Sequence, residues 1–118
     1  TANLADAIAY LHQHNIVHQD LKPSKGFDCN GTLKLFDFDI ARILPQELFE
    51  DECFALTAKT GTRRYMSPEC GLGERYNCKT DVFGFAILLH GIISLEFPFN
   101  DIYKEEYEER VWNGGYRP

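Results

Sequence analysis

Leu4, Ile8 and Leu11 recur at i, i+4 and i+7 with alanines between them, which predicts an amphipathic helix over residues 2–13 that stops near His14 and Asn15. Ile16-Val17 then reads as a very short strand. Phe27–Cys29 and Thr32–Phe36 read as two more, joined by Asn30-Gly31, the pair a two-residue hairpin prefers because it needs positive φ twice. From Ile43 to Thr62 periodicity vanishes; Pro45, several acids and several threonines predict a long mobile loop. Val82 to Leu95 is an apolar run of 14 residues, too short to span a membrane and expected as a buried core helix. Asp81 at its start favours the helix dipole and can cap it, and Pro98 ends the helical region. In "DIYKEEYEERVWN", Tyr103, Tyr107 and Val111 lie four apart and Glu106 precedes Arg110 in the favourable orientation, so a short surface helix is expected over 101–113.

Composition narrows the function classes. A chain of 118 residues, 44% hydrophobic and 14% aromatic, is one globular domain or part of one. The net charge of −6 and scattered cations argue against a nucleic-acid partner, since phosphate neutralisation needs a basic face. Cys29, Cys53, Cys70 and Cys78 match no C-x-x-C spacing and read as reduced thiols of a cytoplasmic protein. The chain opens on Thr1-Ala2-Asn3-Leu4, with neither an initiator Met nor a secretory signal, and is expected to be an internal fragment with no membrane partner.

Chemistry concentrates in "VHQDLKPSKGF". An acid after a short strand, with Lys22 two residues on and a proline stiffening the next step, suits transfer of a charged group. Asp20 can accept a hydroxyl proton while the ammonium neutralises negative charge. A second acid, Asp37, ends the predicted hairpin 17 residues later, and carboxylates at two strand ends commonly meet at a divalent cation such as Mg²⁺.

The order of "HQDLKPSK", "KLFDFDIAR", "GTRRYMSPE" and "KTDVFGFAILL" resembles the protein-kinase family, whose motifs are H-R-D-L-x-x-x-N, D-F-G and A-P-E. The resemblance runs through "GGYRP" and implies an α+β, protein-kinase-like fold: a mainly helical C-terminal lobe with a small β-hairpin at the catalytic loop. Residues 1–118 would be a partial kinase domain truncated at both ends. On that resemblance the N-terminal lobe is expected to be missing from these residues, since no G-x-G-x-x-G loop or V-A-I-K lysine precedes the motifs.

Residue by residue, the resemblance makes Asp20 the catalytic base and Lys22 the lysine that meets the transferred phosphoryl group. A lysine there implies serine or threonine in a protein substrate as the acceptor. It makes Asp37 the magnesium ligand and Thr62 a residue that holds the catalytic loop and shapes the substrate site. His18 and Phe38 belong to the apolar spine, Asp81 is its anchor, and Glu69 pairs with a downstream arginine. ATP and Mg²⁺ are implied for the intact domain only.

Three departures qualify this. Gln19 stands where the family has arginine, which removes the bidentate grip on an activation-loop phosphate. Lys25 or Ser24 fills the second metal position; an ammonium there is opposed by about 4 kcal/mol at ~4 Å and an effective dielectric of ~20. Asp39 replaces the glycine of D-F-G, giving up freedom at unusual φ. Two functions follow from the resemblance: ATP-dependent phosphoryl transfer in the intact parent, or a pseudokinase or truncated lobe that scaffolds partners.

Overall fold

The computed structural model describes residues 2–23, 35, 37–47 and 49–118. The expected hairpin across Asn30-Gly31 lies outside the described residues, as do Ser24, Lys25 and Cys29.

Helix α1 spans Ala2–Gln13. Its apolar stripe is the expected one, with Leu4, Ile8 and Leu11 all buried. Asn15, at φ 58°, turns the chain out of the helix; asparagine reaches this left-handed region at less cost than most residues. Strand β1 (Ile16–Val17) follows at once. It pairs antiparallel with β2 (Arg42–Ile43), Ile16 opposite Ile43 and Val17 opposite Arg42. Both strands are two residues long, so no hydrophobic alternation announces β2, and periodicity alone assigns it to loop.

The stretch from Ile43 to Thr62 is irregular, as expected, but it is tied at several points. Leu44 is buried, and its N–H donates to the Asn15 carbonyl at 2.7 Å. Phe54 and Tyr76 exchange backbone hydrogen bonds at 2.9 and 3.0 Å. A 3₁₀ turn (Arg63–Tyr65) leads into α2 (Pro68–Gly71). Ser67 caps α2, its side chain accepting from the Cys70 N–H, and Pro68 at the first helical position gives up a donor that would have no partner.

Helix α3 (Lys79–Ser94) runs between two cores. Ile87 enters a cluster with Met66, Cys70, Tyr76, Phe99, Tyr107, Val111 and Trp112. Leu88, one position on and rotated by about 100°, enters a second with Leu4, Ile8 and Leu21. Burial is less complete than the apolar run suggests: Thr80 to Leu88 carries the buried face, whereas Val82, Ile92 and Ile93 are exposed among the described residues. The helix ends before Pro98, at Leu95, whose φ of 59° breaks the ladder. Residues 101–113 form a 3₁₀ turn (Lys104–Glu106) and then a helix of the wider i→i+5 type (Tyr107–Asn113). The Glu106–Arg110 ion pair is present at 3.2 Å. Tyr107, Val111 and Trp112 are buried and Tyr103 is exposed, so this element is half core. No helix among the described residues is long and apolar enough to cross a membrane.

Candidate functional site

The loop after β1 is held from beneath by one carboxylate. Asp81, 2% exposed, accepts the His18 N–H at Oδ2 and the Gln19 N–H at Oδ1, both at 2.8 Å. Its Oδ2 also lies 3.0 Å from His12 Nε2. Asp81 therefore does not cap its own helix, as the sequence suggests; the carboxylate is already committed to a loop about 60 residues earlier. The grip matters because Gln19 sits at φ 72°, a conformation that costs a non-glycine residue about 1–2 kcal/mol. The fully buried His18 accepts the Asp20 N–H at Nδ1 (3.2 Å), which places its proton on Nε2, and its ring meets Phe38 edge-on at 5.0 Å between centroids.

Asp20 is thus fixed by its backbone, and a second segment comes to its side chain: the Thr62 hydroxyl donates to Asp20 Oδ1 at 2.9 Å. Gly61 makes this approach possible. Its φ is 92°, and a Cβ there would stand 2.3 Å from the Gln19 carbonyl oxygen. Only glycine combines that φ with that clearance. Lys22 is half-buried on the same loop, two residues beyond Asp20.

Asp37 is half-buried at φ 62°, whereas Asp39 is exposed without positive φ. The unusual φ therefore falls on the first acid of "DFD", and the aspartate in place of glycine bears none. No group of three or more metal-ligating side chains gathers among the described residues.

Gln19 occupies a neutral network. Its Nε2 donates to the Ile40 carbonyl at 3.2 Å, and its Oε1 lies 2.7 Å from the Tyr76 hydroxyl, which also reaches the Thr57 carbonyl at 2.7 Å. Arg42 donates to the Thr57 hydroxyl at 3.0 Å. Burial above all pushes the Tyr76 hydroxyl well above its usual range, helped by the neighbouring Cys70. The Tyr65 hydroxyl is likewise raised by burial and partly offset by the Arg64 charge. Glu69 is half-buried in α2 and makes no ion pair among the described residues.

The structure brings His18, Asp20, Phe38, Thr62 and Asp81 into one assembly. Sequence reasoning missed His12, Tyr76 and Gly61. The glycine was readable in "GTRRY"; a tyrosine joined to the loop across 57 positions carries no local signal.

Comparison with known proteins agrees with this arrangement. Residues 1–114 match the family model for the protein kinase domain. The chain is 33% identical over 117 residues to the serine/threonine-protein kinase STY17 of Arabidopsis thaliana, covering 98% of this chain and 20% of that protein. It is 34% identical over 121 residues to the Arabidopsis serine/threonine-protein kinase VIK, covering 98% and 27%. It is 34% identical over 99 residues to the serine/threonine-protein kinase PknB of Mycolicibacterium smegmatis, covering 83% and 16%. The chain thus spans about a fifth of the length of the curated relatives it matches. With the loop after β1 held by the distant Asp81 carboxylate, and a family-model match over residues 1–114, the chain belongs to the protein kinase family.

Proposed function

We propose that the chain is the C-terminal-lobe part of a serine/threonine kinase domain and that the intact domain transfers a phosphoryl group from ATP to protein hydroxyls. The observation that carries this reading is the Thr62–Asp20 hydrogen bond at 2.9 Å, on a loop whose strained residue is clamped by Asp81. Asp20 is the base that takes the acceptor hydroxyl's proton; Thr62 orients that carboxylate. Lys22 offsets negative charge on the group in transfer. Asp37 would hold Mg²⁺, which neutralises the phosphate charge when bound. His18, Phe38 and Asp81 keep the loop in register, and Glu69 stabilises the segment after Thr62. Residues 1–118 are one part of that domain, consistent with the share of each relative they cover.

The scaffold alternative draws on Gln19, Lys25 and Asp39. Asp39 has no positive φ, and the Gln19 amide is hydrogen-bonded to Ile40 and Tyr76, which supports the catalytic reading over the scaffold one. Asp20→Asn in a protein carrying the complete domain tests the reading. Turnover should fall by at least ~10²-fold with nucleotide affinity unchanged, the size of a general-base contribution. Unchanged turnover removes Asp20 from the chemistry.

A further inference from the structure

Beside the Thr62 segment, an open pocket of about 250 Å³ is lined by Lys59, Arg63 and Lys104, by Glu105 and Glu108, and by Trp112 at its wall. None of the five charged side chains makes an ion pair among the described residues; the ion pairs there lie elsewhere. Three cations against two carboxylates leave the pocket at +1 on a chain whose net charge is −6. Trp112 is only 8% exposed, and its indole N–H has no acceptor among the described residues. A buried donor in that condition is costly unless something satisfies it.

We propose that this pocket binds the carboxylate of an aspartate or glutamate in a polypeptide whose hydroxyl occupies the Asp20 site. The inference rests on the kinase reading and adds a substrate class to it. Arg63 directly follows Thr62, which touches Asp20, and Lys59 lies three residues before Thr62. A polypeptide that reaches Asp20 with a hydroxyl therefore carries its neighbouring residues across the 59–63 segment. One carboxylate balances the pocket's excess charge. The site is also preorganised: the Lys59 backbone is fixed at φ 52° with its N–H on the Cys70 carbonyl at 2.9 Å. The indole is seated on Gly71, where an added Cβ would fall 2.3 Å from the ring.

Trp112 is the chain's one tryptophan and stands at the pocket wall, so its emission is a probe of this pocket. The chain should be titrated with a serine peptide bearing aspartates on both sides of the serine, and with the same peptide carrying asparagines. The aspartate peptide should perturb the emission at a concentration at least tenfold lower. Lys59→Gln with Lys104→Gln, both exposed positions, should abolish that preference while leaving the circular dichroism spectrum unchanged. Equal affinity for the two peptides, or a preference that survives the double substitution, overturns the proposal. The readout is binding, so absence of an aspartate preference in the unsubstituted chain condemns the pocket, whereas tight acidic binding without phosphoryl transfer in the complete domain condemns the kinase reading alone.

Discussion

At the scale of single residues, the site depends on one buried carboxylate holding one strained backbone. Asp81 satisfies the N–H groups of His18 and Gln19, and Gln19 keeps its positive φ only while that attachment lasts. Asp81→Ala leaves the buried His18 N–H and the half-buried Gln19 N–H without their acceptor, at about 1–3 kcal/mol each. The expected loss is about 3 kcal/mol in urea unfolding, and a loss under 1 kcal/mol would mean the loop finds other acceptors. Asp20, Lys22 and Asp37 could be singled out in the sequence from acid and lysine spacing, whereas Thr62 was marked only by the resemblance to the kinase motifs. Gln19 could be read only as a departure. Its bonds to Ile40 and Tyr76 depend on a partner 57 residues away, and local pattern does not encode such a distance.

At the scale of elements, legibility followed length. Helix α1 shows its stripe over three turns and was readable to the residue, whereas β2 is two residues long and was not. The apolar run of α3 was visible, but not that its second half would lie exposed, since a helix that is apolar all round does not say which faces are covered. Its end is also unusual. Leu95 occupies the left-handed position that glycine normally takes after a helix, and it is 90% exposed, so its side chain returns almost no burial for the strain. Leu95→Gly should therefore raise stability by about 1 kcal/mol, the left-handed penalty less glycine's greater unfolded-state freedom. Thermal unfolding should show a higher Tm, and a lower one would mean that the leucine contributes a contact in solution.

At the scale of the whole molecule, α3 joins two cores whose members come from distant parts of the chain. Tyr76 and Tyr107 belong to one of them with Met66 and Ile87, and Tyr65 packs against both. Composition foretells enough apolar surface for such cores but not which hydroxyls will be enclosed in them. That enclosure has a consequence in pH. Burial is the leading cause that raises the pKa of Tyr65, Tyr76 and Tyr107 alike. In the unfolded chain these phenols ionise near 10; in the folded protein they keep their protons to higher pH. Above about pH 10 the folded state therefore binds more protons than the unfolded state, and stability falls as pH rises. The contribution is complete below the unfolded pKa and is lost as pH climbs towards the folded values. Burial also raises the Cys78 thiol, which ionises at about 8.5 in the unfolded chain, so thermal unfolding should give a Tm that is level up to about pH 8, eases downward as that thiol ionises and declines more steeply from about pH 10 upward. Tyr76→Phe sharpens the test: it should lower the plateau, because the bonds to Thr57 and Gln19 are gone, and should make the alkaline decline shallower, because one raised phenol has been removed. A Tm that stays level beyond pH 11, or a decline as steep in the phenylalanine variant, would show that these hydroxyls ionise as they do in water and that the core around them is open to solvent.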